Sequence, residues 1–301
     1  MAPSPHEKNA SVELKAVLAA ATGSTLVGTV PMLALGLYQE GMSVTSLLFW
    51  RYLIALVFLW PLAAMTSPSL GEDWRKAGMA LFINGVTLGV AQTFTYFRGI
   101  ETLPSSIVVT IFFTYPMITL ALDLIVFKRR PGIGSLIAVA MIFTGAMLAG
   151  WPNLSLEKSE PIGLACAIAT PLLFSAYIAI AYRYTRHASP FASAASIYSG
   201  LFTGYLVAVA FGGLSFPSGW SGIGSLLLIG IVGGVVQISA FSYALPRLSA
   251  SGYSIIVSLE LLTVVTLGVL VLGEPLSAVQ LLGVALVAAG VITDRLMRPP
   301  R

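Results

Sequence analysis

The sequence predicts an all-α, polytopic membrane protein of ten transmembrane helices, arranged as two inverted five-helix repeats. Three observations predict it. The 301-residue chain is 57% hydrophobic and 9% charged, against roughly 25% charged in a soluble domain, so most of its surface is unsuited to water. Its apolar stretches recur at the length of about 20 residues that a hydrocarbon core about 30 Å thick demands of a helix. The chain also matches itself at an offset of 145 residues.

Residues 1–15 form a polar cytoplasmic tail holding His6, Lys8 and Lys15. The apolar run behind it is longer than the core of a secretory signal peptide and reads as a retained first span. Cutting the chain where charges, Pro, Gly or Ser interrupt such runs gives ten spans: 16–38, 43–65, 77–98, 104–127, 132–151, 161–182, 190–212, 221–245, 250–272 and 277–296. The first repeat is then 16–151, a periplasmic linker 152–160, the second repeat 161–296, and a cytoplasmic tail 297–301.

With the N-terminus inside, Lys8, Lys15, Arg75, Lys76, Lys128, Arg129, Arg130, Arg183, Arg186, Arg247, Arg295, Arg298 and Arg301 are cytoplasmic, and only Arg98 and Lys158 lie outside. Cytoplasmic loops retain positive charge, so this distribution orients the chain with both termini in the cytoplasm. The same residues form short clusters rather than a basic stripe, so despite a pI of about 9.2 the expected partner is the bilayer and not nucleic acid. One cysteine, Cys166, inside an apolar run, leaves no disulfide framework and no metal-ligand spacing.

The self-match pairs Leu81 with Leu226, Gly85 with Gly230, Gly89 with Gly234, Val90 with Val235 and Gln92 with Gln237. Downstream it pairs Leu103 with Leu248, Ser106 with Ser251, Leu136 with Leu281 and Gly145 with Gly290. Five spans separate the copies, an odd number, so equivalent helices cross the membrane in opposite senses. The loop charges agree, with Lys128, Arg129 and Arg130 in one copy and Gly273, Glu274 and Pro275 in the other. Inverted repeats are a frequent plan of secondary transporters, because exchanging the conformations of the halves exchanges the open side.

Within the third span Gly85, Gly89, Gln92, Tyr96 and Gly99 share one helical face, and Gly230, Gly234, Gln237, Phe241 and Ala244 repeat it in the eighth. An amide against lipid is expensive, so the stripe faces either a packed neighbour or a solute cavity. Glu260 falls mid-span, where a charge costs at least about 3 kcal/mol. Three arrangements relieve that cost: a protonated carboxyl, a structural pair with Arg51 of the second span, or solvation in a cavity. Arg51 could alternatively snorkel to the outer interface. Pro31, Pro116 and Pro171 are expected to interrupt the first, fourth and sixth spans, as gating kinks or as packing features. Rings cluster beside them, Phe112, Phe113 and Tyr115 near Pro116, Phe174 and Tyr177 near Pro171, and could receive an apolar side chain or simply pack. Trp50, Trp60, Trp74, Trp151 and Trp220 read as interfacial anchors.

Nothing points to an enzyme. His6 and His187 lie outside the spans, Asp123 near a span end has no carboxylate partner at a catalytic spacing and is explained by solvation, and no phosphate-binding loop occurs. No cofactor or metal is implied.

Trp50, Arg51 and Tyr52, then Tyr115 and Pro116, then Glu260, and finally Leu272, Gly273 and Glu274 followed by Gln280, Gly283 and Gly290 resemble the signatures of the drug/metabolite transporter superfamily, in particular its EamA-type ten-helix exporters. Leu261 replaces the proline of that family's Glu-Pro pair, and Lys128, Arg129 and Arg130 stand where the first copy often has Gly-Glu. Among subfamilies the chain looks most like the YddG-type aromatic amino acid exporters of the bacterial inner membrane. That resemblance implies a central cavity lined by the first, third, fourth, sixth, eighth and ninth helices, outward release of amino acids, and efflux of unrelated cations as a further capacity.

The resulting expectation is export of a small organic solute by alternating access. Candidate solute contacts are Gln92, Tyr96, Phe112, Tyr115, Phe174, Tyr177, Gln237, Phe241 and Ser258, with Glu260 and Arg51 as coupling or structural charges. Efflux of lipophilic cations, with Glu260 as counter-charge, is the first rival; a membrane-embedded enzyme or scaffold is the second.

Overall fold

The computed structural model describes the backbone of residues 5–103, 105–150, 160–272 and 276–297, and within these all side chains except those of residues 5–10, 105, 106 and 272. The expected anchor Trp151, the linker residues 152–159 with Lys158, the loop of Gly273, Glu274 and Pro275, the tail residues Arg298 and Arg301, and the side chains of His6, Lys8, Ser106 and Leu272 lie outside what is described.

Among the described residues ten helices are long and apolar enough to cross a membrane: α1 (Ser11–Gln39), α2 (Val44–Thr66), α3 (Leu70–Thr102), α4 (Ile107–Ile125), α5 (Ile133–Gly150), α6 (Pro161–Thr185), α7 (Pro190–Gly212), α8 (Trp220–Ala244), α9 (Ala250–Val271) and α10 (Ala278–Leu296). The described residues contain no strand. α3 is longer at both ends than its apolar core. Ion pairs one turn apart, Glu72 with Lys76 at 2.5 Å and Arg98 with Glu101, support helical turns beyond the apolar stretch.

Three helices are broken inside the membrane-spanning region. α1 turns at Gly28–Thr29 just before Pro31, and α4 at Phe113–Thr114 just before Pro116. The third break corrects the expectation from proline: α6 runs unbroken through Pro171, whereas α9 turns at Ser258–Leu259 without one. Ala167 and Ser175, one turn on either side of Pro171, are fully buried, so neighbouring helices hold the α6 axis although one backbone bond is lost. In α9 the serines supply the alternative partners. Ser254 Oγ donates to Ser251 O at 2.8 Å and Ser258 Oγ to Ser254 O at 3.1 Å, while Ser258 and Leu259 switch to the tighter bonding of one residue with the third before it.

The breaks in α4 and α9 are again 145 residues apart, and the π turn Gly85–Gly89 of α3, shifted by the same offset, falls within the longer π turn Ile229–Val236 of α8. Packing follows the same exchange. α3 packs on α6 and α7 as α8 packs on α1 and α2; α4 packs on α6 as α9 packs on α1; and α2–α7, α4–α9 and α5–α10 pair across the pseudo-two-fold itself. The chain halves therefore interleave. At the crossing of α5 and α10 no side chain fits: a Cβ on Gly283 would lie 2.5 Å from Gly145 O and 2.6 Å from Ala149 N.

The outer face is apolar, with Phe211 90% and Leu270 76% exposed. Trp220 is similarly free, but Trp50 is not a lipid anchor. Its indole donates to Ser215 O at 3.0 Å and packs on Phe49 and Phe216, because the loop that closes onto the start of α2 offers it a carbonyl.

Candidate solute cavity

A cavity of about 90 Å³ lies where the two halves meet, bounded by residues from α1, α2, α3, α4, α6, α7, α8 and α9. This adds α2 and α7 to the helices expected. Pockets that enclose a drug-sized ligand run to roughly 300–1,000 Å³, so in this conformation the cavity has room only for a very small group.

The predicted Gln92, Tyr96, Phe112, Phe174, Tyr177, Gln237, Glu260 and Arg51 all reach this cavity, and so does Pro31 at the break in α1. Each α3 and α8 stripe divides its labour along the helix. The glycines pack, with a Cβ on Gly234 lying 2.9 Å from Ala55 Cβ and Gly85 seated against Ile197 and Gly200, while the glutamines one turn on face the cavity. Packing and lining are thus successive segments of one face. Gln92 makes no side-chain hydrogen bond among the described residues. Gln237 Oε1 lies 3.2 Å from the Tyr198 hydroxyl, which also reaches Gly233 O at 3.1 Å.

Arg51 and Glu260 bound the same cavity without forming an ion pair with each other, and this differs from two of the expected arrangements. Arg51 is only 6% exposed, so it does not snorkel. Its Nη2 donates to Gly233 O at 2.5 Å, a carbonyl in the π turn of α8, where widened bonding leaves groups in need of partners. The rings of Tyr52 and Phe97 lie 5.6 and 5.8 Å from its Cζ. Its Nε is buried with no partner. Glu260 opens the second half of α9 immediately after the break, is 8% exposed, and accepts no hydrogen bond from any described residue.

The predicted rings form one connected wall. Tyr96 meets Phe112 at 5.1 Å, Phe112 meets Phe174 at 5.1 Å, Phe174 stacks on Tyr177 at 6.2 Å, and Tyr177 stacks on Phe241 at 5.6 Å. Tyr115, Phe241 and Ser258 stand behind the cavity surface. The Tyr115 hydroxyl donates to Ser254 O at 2.9 Å, Ser258 is fully buried, and Phe241 packs edge-on against Tyr253 at 5.2 Å. Pro116 is buried beside the α4 break, and Pro171 lies within the unbroken α6.

Sequence reasoning missed Tyr52, Thr93, Tyr198 and Tyr253, all of which bound the cavity. The signal available was a hydroxyl in the middle of an apolar span, which requires a partner or a cavity. Asp123 is also corrected: it is 3% exposed, and its Oδ2 accepts from Ser251 N at 2.9 Å, so it caps the start of α9 instead of being solvated.

A profile of the EamA-like transporter family matches residues 14–151 and 161–293. An uncharacterized transporter of Synechocystis sp. is 26% identical over 179 residues, covering 52% of this chain and 52% of that protein. The chain thus aligns with about half the length of this curated relative. One solved crystal structure, 16% identical in sequence, superposes with a TM-score of 0.74 over 95% of this chain and 98% of its own, a likeness of fold. With the family profile covering both halves of a ten-helix chain, the protein belongs to the EamA-like transporter family.

Proposed function

We propose that the protein exports small organic metabolites, in particular aromatic or apolar amino acids, by alternating access across a bacterial inner membrane, with both termini cytoplasmic. The observation that carries this reading is the small cavity at the pseudo-two-fold interface, bounded by residues of eight helices and combining a ring wall with the amides of Gln92 and Gln237. In this reading Phe112, Phe174 and Tyr177 receive the apolar part of the solute, and Gln92, Gln237 and Tyr96 take its polar groups. Tyr96 Oη, buried without a partner, is one such contact. Rearrangement about the breaks near Pro31 and Pro116 and at Ser258–Leu259 would open the cavity to either side in turn.

Efflux of lipophilic cations is favoured by one observation, the unpartnered Glu260, and opposed by another, the guanidinium of Arg51 on the same cavity. Uptake by proteoliposomes across a panel of amino acids and a lipophilic cation, with and without a pH gradient, separates the readings. Saturable uptake of an apolar amino acid supports export of that class; uptake of the cation alone would overturn it. Dependence on the pH gradient would assign proton coupling.

A further inference from the structure

The cavity is bounded by one buried guanidinium and one buried carboxyl group, each left with binding capacity unused. Arg51 is 94% buried on the 6% exposure given above, keeps one Nη2 bond to a carbonyl, and has no partner at Nε. Glu260 has no described partner at all. No ion pair closes between the two side chains within 4 Å, although both bound one cavity. Burying two opposite charges apart from one another is costly for each, and a ligand that bridged them would lower that cost.

We propose that Arg51 and Glu260 are the two poles of a receptor for a dipolar solute, the guanidinium taking a carboxylate and the Glu260 carboxylate taking an ammonium of the same small molecule. This rests on the cavity being the transport site and specifies what selects the solute there. A lipophilic cation would be drawn to Glu260 and repelled by Arg51, and an anion the reverse. Only a solute bearing both charges satisfies both groups, so discrimination comes from repulsion as much as from attraction. Arginine suits its pole because its planar fork presents several donors to a carboxylate at once. The ring wall beginning at Tyr96 and Phe112 then receives the uncharged remainder.

The test is competition against labelled L-phenylalanine in proteoliposomes of the full chain, at about pH 6, where an α-amino group is protonated. Two competitors each lack one charge: 3-phenylpropanoate has no ammonium, and L-phenylalaninamide has no carboxylate. Wild-type protein should prefer phenylalanine to either by about tenfold or more, the scale of a lost charge-assisted hydrogen bond. Glu260→Gln should bring phenylalanine and 3-phenylpropanoate to within about threefold while leaving the discrimination against phenylalaninamide intact. Arg51→Gln should do the converse. If it does not fold, Arg51→Lys, which keeps the charge, should retain discrimination against the amide. Equal competition by all three in the wild type, or a tenfold preference surviving in Glu260→Gln, overturns the two-pole receptor while amino acid transport stands. A folded wild-type protein that moves no phenylalanine overturns the amino acid reading and the receptor together.

Discussion

The Tyr115 hydroxyl donates to the carbonyl of Ser254 at 2.9 Å, and through this bond the break in α4 is fastened to the break in α9. Tyr115 is the first residue after one break and Ser254 lies one turn before the other. The two interrupted helices are thus coupled at the points where their axes are free to bend, next to the rings and the carboxylate that bound the cavity.

Tyr115→Phe removes that fastening and little else. Ser254 O keeps the Ser258 hydroxyl at 3.1 Å, so no acceptor is orphaned and the cost should be about 1 kcal/mol. Thermal unfolding in detergent should show this small loss. Transport turnover should change more than apparent affinity, because the bond joins moving elements and does not face the solute.

Gln92→Ala should leave thermal stability within about 0.5 kcal/mol, since its side chain bonds to no described group. Apparent solute affinity should nonetheless fall several-fold in proteoliposome uptake. Gln237→Ala removes one of two acceptors of the Tyr198 hydroxyl, at 3.2 Å, and leaves Gly233 O at 3.1 Å, so its stability cost should stay within about 1 kcal/mol. Unchanged affinity in both variants would leave the amides with packing alone.

Gly283→Ala drives a methyl toward Gly145 O and the Ala149 backbone. Backbone cannot move aside as a side chain can, so about 1–3 kcal/mol of stability should be lost. Gly224→Ala meets nothing within 4 Å and should be neutral or stabilise by up to about 1 kcal/mol through helix propensity. Parallel melting curves of the two variants check the contrast.

Asp123→Ala uncaps α9 at Ser251 N and should cost about 0.5–2 kcal/mol, whereas Asp123→Asn keeps an acceptor and should cost a fraction of that. The same melting measurement distinguishes them. Equal losses would show that the charge matters rather than the cap.

Much of this arrangement was legible in the residues, for identifiable reasons. Span length and apolar content located ten helices, and the offset of 145 residues, read from pairs such as Gly85 with Gly230, carried through to the π turns and the breaks. Gln92, Gln237 and Glu260 could be picked out because polar groups in mid-span have few tolerable locations. Other features depended on partners distant in sequence. Arg51 meets Gly233 O only because α8 widens there, and no local pattern forecasts a π turn. The α9 break came from serine hydroxyls rather than proline, and Pro171 was absorbed because its flanks are buried. Tyr52 and Tyr198, whose rings meet edge-on across α2 and α7 at 4.9 Å, were hidden in apolar runs where a ring reads as packing.

The most direct test of the inverted architecture uses the single native cysteine, Cys166. In a Cys166→Ser background, Arg130→Cys and Leu276→Cys place one thiol in each of the loops that follow α4 and α9, and intact cells are labelled with a membrane-impermeant maleimide. Opposite sidedness is predicted, with position 276 labelled from outside and position 130 only after the membrane is opened. Labelling of both positions from one side would contradict the two-fold antiparallel plan and, with it, a cavity that opens to each face in turn.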